Sequence, residues 1–182
     1  MTAPTLVVVD MQQVFGNPAS QWFTPRFAEA EAVIARLVPA FGDRVVFTRF
    51  VAPERPGGAW VPYYEQWPFA LVPDDDPIYD LVLPFRDTGH PVVSEPTFGK
   101  WGPDLRTALQ GSQDVVLAGV STDCCVLSTA LGAADAGVRI RVASDACAGL
   151  SDADHQRALD AMALYAPLIE ITDSASVLSG LG

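Results

Sequence analysis

Six short runs rich in β-branched and apolar residues recur along the chain: TLVVVD, RVVFTRF, PVVSEP, DVVLAGV, VRIRVAS and LIEIT. Near-continuous apolar runs of this length suit strands covered on both faces, as in a parallel sheet. Helical patterns lie between most of them. From Pro25 to Phe41, apolar residues fall at Phe27, Ala30, Ile34, Leu37 and Val38, one face of a helix. Further helices are predicted at PDLRTALQ, from Asp123 to Ala136 and from Asp152 to Leu164, with Gly137 as a C-terminal stop. Strand–helix alternation of this kind predicts an α/β fold, a mostly parallel sheet with helices on both faces.

The connection from the second run to the third is different. Residues 51–90 carry Trp60, Tyr63, Tyr64, Trp67, Phe69, Tyr79 and Phe85 among many prolines. Such an excursion is too long for a plain loop, and it is expected to wall a pocket or pack on another subunit. No linker or repeat divides the rest, so residues 1–182 are read as a single domain. The formal charge of −11 argues against binding to phosphate backbones or anionic lipid surfaces. No apolar run reaches the ~20 residues of a membrane span. The opening MTAPTLVVVD reads as a strand rather than a leader. Three cysteines, Cys124, Cys125 and Cys147, do not make a disulfide framework, which fits a reduced, cytoplasmic protein.

In parallel α/β sheets, ligands bind beyond the carboxyl ends of the strands. Asp10 ends the first run, Thr48 and Arg49 the second, and Asp145 follows the fifth. Glu95 and Lys100 follow the third, and STDCC follows the fourth. Lys100 is the only lysine among eleven basic residues, which hints at a task an ammonium performs and a guanidinium does not. An acid, an ammonium and a thiol thus converge on one sheet edge from three strands.

STDCCV is predicted to be a strand-to-helix turn capped by Thr122 or Asp123. Both cysteines then sit in the first helical turn, where free amides and the helix dipole favour a thiolate and can form an oxyanion hole. Position alone does not choose between the two sulfurs. A histidine base is not expected. His90 lies at the opposite end of the third strand, and His155 begins a late helix in a capping or packing role. Asp10 is the candidate base, with Lys100 supporting both carboxylate and thiolate. The cysteine spacing fits neither a zinc site nor a C-x-x-C redox site, so neither metal nor cofactor is expected.

These residues resemble the isochorismatase-like cysteine hydrolase superfamily. LVVVDMQQVF resembles its first-strand motif, EPTFGKWGPDL its lysine segment, and LAGVSTDCCVLSTALGAADAGVRIRVASDACAG its nucleophile block. The resemblance implies a three-layer α/β/α sandwich with strand order 3-2-1-4-5-6 and catalytic residues Asp10, Lys100 and Cys125. Cys124 becomes a packing neighbour. It also implies a cis peptide at Val120–Ser121 and an oxyanion hole of the Ser121 and Cys125 amides. The implied activity is hydrolysis of a C–N bond in a small amide, imide or ureido compound through a thioester. Vinyl-ether hydrolysis of the isochorismatase type and a non-enzymatic ligand-binding role are the alternatives. Nicotinamidases of this superfamily bind a metal through histidines after the second strand. FTRFVAPERPGGAW contains none, so a metal-dependent nicotinamidase is disfavoured. Phe15, Trp60, Tyr64 and Trp101 are candidate pocket walls, and Arg49 a candidate for binding a substrate carboxylate. Cys147 is read as structural. The expected partner is a small-molecule substrate, with a homo-oligomer, a dimer or tetramer, as the assembly.

Overall fold

The six apolar runs form the strands β1 (Thr5–Val9), β2 (Val45–Phe50), β3 (Val92–Glu95), β4 (Asp114–Val120), β5 (Arg139–Ala148) and β6 (Ile169–Thr172). In the computed structural model, which describes residues 3–181, they pair as one all-parallel sheet in the order β3-β2-β1-β4-β5-β6. The helices are α1 (Gln13–Gly16), α2 (Phe27–Phe41), α3 (Trp60–Gln66), α4 (Pro103–Ala108), α5 (Leu127–Asp135), α6 (Asp152–Ala163) and α7 (Ser174–Ser179).

Strand alternation divides the core in two. Leu6 and Val8 of β1 pack on one side with Ile34, Leu37 and Phe41 of α2 and Val177 of α7. Val7 and Val9 face the other way, toward Leu105 of α4, Ala130 and Ala133 of α5, and Leu159 and Met162 of α6. With period two and both faces covered, every residue of β1 is apolar or small and every one is buried. The result is the three-layer α/β/α sandwich.

Order 3-2-1-4-5-6 makes the seam between β1 and β4 the point where the connections diverge. The backbones are tight there. Gly119 pairs with Val9 at φ +118°, and a Cβ on it would lie 2.1 Å from the Val9 carbonyl oxygen. Only glycine lets β4 run this close to β1 before the chain turns toward the cysteines. Gly137, at φ +85°, closes α5 as expected, its N–H donating to the Ala134 carbonyl.

The fifth strand runs further than its sequence pattern predicts. Against β4, pairing jumps from Leu117–Val142 to Gly119–Cys147, so β5 bulges over Ala143 to Ala146. Asp145 therefore lies inside the strand and not beyond it. Its carboxylate accepts from the Ser174 N–H (2.7 Å) and hydroxyl (2.5 Å), a structural task at the start of α7. The 51–90 excursion holds α3 and two short 3-10 turns, Pro68–Ala70 and Pro77–Tyr79. Buried Gln12 ties it to the sheet: its side-chain amide donates to the Phe50 and Tyr79 carbonyls and accepts from the Phe50 N–H. Among the described residues, no helix is long and apolar enough to cross a membrane.

Candidate active site

At the carboxyl end of β1 the chain turns sharply, with Asp10 at φ +50°, a region that aspartate tolerates better than most residues. The Asp10 N–H donates to the Thr48 carbonyl at 3.2 Å, and the Thr48 hydroxyl donates to Asp10 Oδ1 at 2.6 Å. The end of β2 thus fixes the carboxylate. Lys100 reaches the same point from beyond β3. Its Nζ lies 3.1 Å from Asp10 Oδ2, and both side chains are completely buried. The ammonium also donates to the Thr97 carbonyl at 2.7 Å and stands 4.9 Å from the centre of the Phe50 ring. Asp10 Oδ2 takes part in this ion pair but receives no aligned hydrogen bond. It keeps an open lone pair beside a countercharge.

The third group arrives from β4. Residues Thr122–Val126 form a single wide π-type turn ahead of α5, with the Val126 N–H donating to the Ser121 carbonyl. Ser121 opens this turn without a side-chain cap. The predicted caps have other partners. The Thr122 hydroxyl shares a 2.8 Å hydrogen bond with His155 Nδ1 of α6, and Asp123 Oδ1 accepts from the Leu150 N–H. The loop from β5 into α6 therefore braces the cysteine turn, and His155 has a holding role. The Val120–Ser121 peptide is cis. Thr129 of α5 links lysine and cysteine segments: its hydroxyl accepts from the Lys100 N–H (2.9 Å) and donates to the Cys125 carbonyl (2.7 Å).

The two sulfurs differ. Cys125 is buried, while Cys124 is partly exposed, its thiol leaning 3.8 Å from Asp123 Oδ2. Burial pushes the Cys125 thiol well above the ordinary thiol range. The Asp10 charge pushes the same way, and the Lys100 ammonium opposes it. Desolvation thus works against the thiolate that the helix terminus is expected to favour.

Above Cys125 opens a cavity of about 140 Å³. Phe15, Trp22, Phe50, Tyr63, Trp67 and Phe98 wall it, Ser121, Cys124 and Cys125 line its base, and exposed Gln21 and Leu150 stand at its mouth. Of the expected wall residues, Phe15 is in place. Trp60 lies one layer behind, packed on Phe98 and edge-on to Tyr63. Tyr64 is buried beside it and does not line the cavity. Trp101 is brought to a different surface groove, against Gly132 of α5. Arg49 points along the sheet edge, its Nε donating to the Ser94 hydroxyl, so it does not reach the cavity. Tyr63 and Trp67 belong to the 51–90 excursion expected to wall a pocket, whereas Trp22 and Phe98 are not among the expected wall residues. Tyr63 sits one helical turn after Trp60, and Phe98 two residues before the single lysine. Both spacings were usable signals, whereas Trp22 sits in an irregular polar loop with none.

A family model of the isochorismatase domain matches residues 4–176. The chain belongs to the isochorismatase family. Over 69 residues it is 36% identical to isochorismatase domain-containing protein 2 of Xenopus laevis, a match covering 36% of this chain and 34% of that protein. The chain thus spans about a third of the curated relative it matches. Among solved structures, a cysteine hydrolase from Pseudomonas syringae pv. phaseolicola 1448A superposes with a TM-score of 0.87 at 21% identity. That alignment covers 98% of this chain and 92% of the other. The pyrazinamidase of Pyrococcus horikoshii, solved in complex with zinc, superposes with a TM-score of 0.77 at 25% identity, covering 94% and 99%. Among the described residues, no three His, Cys, Asp or Glu side chains gather to hold an ion. His155 is bonded to Thr122, and His90 packs against Phe47.

Proposed function

We propose that the protein is a cysteine hydrolase that cleaves the C–N bond of a small amide, imide or ureido compound through a thioester on Cys125. One observation carries this reading: a fully buried Asp10–Lys100 pair, whose Asp10 Oδ2 has no hydrogen-bond partner among the described residues, acts on the Cys125 thiol that lines the cavity. A buried ion pair is costly and weak as a stability device. Its position beside a thiol in a cavity points to proton transfer.

The raised thiol sets the order of events. Cys125 Sγ attacks the carbonyl carbon as its proton passes to Asp10 Oδ2, so no free thiolate accumulates. The Lys100 ammonium stays beside the carboxylate throughout and balances the charge as the proton moves. The carbonyl oxygen, now negative, is received by the Ser121 and Cys125 backbone amides, each such donor being worth about 3 kcal/mol by mutational precedent. The C–N bond then breaks as Asp10 returns the proton to the leaving nitrogen. Water attacks the thioester and gives one proton to Asp10, which passes it to the departing Sγ. An amide gives a carboxylic acid and an amine or ammonia, an imide a carboxylic acid and an amide, and a ureido group a carbamic acid and an amine or ammonia.

The test is a panel of small amides, imides and ureido compounds, read by ammonia or amine release and by mass spectrometry of a Cys125 acyl adduct. Turnover of at least one compound that survives in Cys124→Ala and vanishes in Cys125→Ala is the expected result. Activity that persists in Cys125→Ala overturns the assignment.

A further inference from the structure

The cavity carries information about charge and shape as well as chemistry. At about 140 Å³ it falls below the ~300 Å³ where pockets for drug-sized ligands begin. Its wall rings meet at different angles: Phe15 and Trp22 lie within 11° of parallel, whereas Trp22 and Phe50 cross at 81° and Tyr63 and Phe98 at 86°. Among the described residues, no charged side chain lines it. The charge of Lys100 is spent on Asp10, 3.1 Å away. The arginines on adjoining segments bond elsewhere, Arg26 to Glu29 and Asp152, and Arg49 to Ser94. At the mouth, the Asp123 carboxylate holds the Leu150 N–H and adds negative potential. A carboxylate entering here meets no countercharge and loses its water, which is strongly unfavourable.

Besides Ser121 in the cysteine turn and Gln21 at the mouth, two hydroxyl side chains break the apolar lining. Thr24 is completely buried, lines the cavity, and its Oγ1 has no hydrogen-bond partner among the described residues. A buried hydroxyl left unpaired costs about 1–3 kcal/mol, so a ligand atom that pairs with it recovers that energy on binding. Tyr63 also lines the cavity, edge-on to Trp60 and Phe98. Burial and the neighbouring cysteines push its phenol up, so it stays protonated as a donor. Neither residue has a part in the proposed proton transfer.

From this geometry we infer that the cavity selects a small, uncharged substrate, oriented by the Tyr63 and Thr24 hydroxyls, and excludes carboxylate-bearing analogues. The choice of an amide rests on the hydrolase reading above. The selection by charge does not, since it follows from the lining alone. The inference removes ureido acids and isochorismate-like dianions from the substrates this site takes.

The experiment separates the two ideas. Cys125 is alkylated with neutral iodoacetamide or anionic iodoacetate, and the modified sulfur is located by fragmentation of the peptide carrying both cysteines. The rate ratio is compared with that of a small free thiol. At Cys125 the preference for iodoacetamide exceeds that reference at least tenfold, and Leu150→Lys at the exposed mouth narrows it. Benzamide protects Cys125 and quenches or shifts the fluorescence of Trp22 and Trp67, while benzoate does neither at the same concentration. Tyr63→Phe and Thr24→Val each weaken benzamide binding about three- to tenfold, the worth of one hydrogen bond. A merely structural role for either hydroxyl instead lowers the urea unfolding midpoint of that variant in step with the loss of binding, and overturns its part in orienting the substrate. A rate ratio equal to that of the free thiol, or equal binding of benzoate and benzamide, overturns the inference even if some amide is turned over. Charge-selective labelling and binding with no turnover of any amide leaves it standing and removes the hydrolase reading instead.

Discussion

Replacing Lys100 by methionine isolates the central pair. The two charges lie 3.1 Å apart with no solvent exposure, a Coulomb attraction of about 5 kcal/mol at an effective dielectric constant of ~20. Lys100→Met keeps most of the unbranched stem but removes the Nζ that stands over Phe50, and it leaves the Asp10 carboxylate buried with the Thr48 hydroxyl and without the Lys100 countercharge. Breaking a buried pair from one side costs about 3–5 kcal/mol. That is a large share of the ~5–15 kcal/mol that stabilises a typical domain. With a urea slope of about 2 kcal/mol per M, the unfolding midpoint falls by ~2 M. Adding Asp10→Asn removes the orphaned charge, and the double variant recovers most of that loss despite carrying two substitutions. The assay is equilibrium unfolding of the wild type, both single variants and the double variant, followed by tryptophan fluorescence. A double variant as unstable as the sum of the singles refutes the reasoning, because it means that the two side chains are not coupled in the folded protein.

Three more outcomes follow from the same geometry. Cys125→Ala lowers turnover of any substrate found by about four orders of magnitude or more, while Cys124→Ala stays within about tenfold of the wild type, measured by initial rates. His155 is held below its ordinary range by burial first and by Arg26 second, with Asp152 and Asp123 opposing. The unfolded chain therefore takes up the proton more readily, and His155 contributes stability above pH ~6.5 that is lost as pH falls below it. Urea midpoints of the wild type then decline more steeply between about pH 6.5 and 5 than those of His155→Gln, and parallel curves would remove the effect. Gly119→Ala drives a methyl to 2.1 Å from the Val9 carbonyl, so β1 and β4 separate and stability falls by more than about 4 kcal/mol, visible as loss of soluble protein or of a cooperative transition.

The sheet was legible because its signal is local and repeated. Runs such as TLVVVD and DVVLAGV are apolar at consecutive positions, which only a strand covered on both faces requires, and each is followed by a turn toward a helix or an excursion. Strand order is a different kind of quantity. It depends on which strands share hydrogen bonds, and no window of the sequence holds that information, so it entered through family likeness and is visible in the pairing itself. The fifth strand shows the limit of local reading. VRIRVAS has a clear pattern, but the continuation through DACA is set by a bulge against β4, a tertiary event that moves Asp145 from a strand end to the cap of α7.

The site divides along the same line. Asp10, Lys100 and the cysteine turn sit at or just beyond strand ends, where parallel topology gathers side chains from distant parts of the sequence, and that rule needs only the strands. The cavity walls obey no such rule. Trp22 lies in a loop without periodicity, yet it is the ring around which Phe15, Phe50, Tyr63, Trp67 and Phe69 pack. Tyr64 is as aromatic as Tyr63 and next to it, but the rotation of α3 turns Tyr63 to the cavity and Tyr64 away, while Trp60, on the Tyr63 face, packs behind Phe98. Arg49 directly follows Thr48, which holds the Asp10 carboxylate. Strand alternation alone sends one side chain into the site and the next out along the edge. Residue type and position near a strand end are therefore enough to find the reacting groups, whose chemistry is rare. They are not enough to find the walls, whose chemistry is common and whose roles turn on a rotation of one residue.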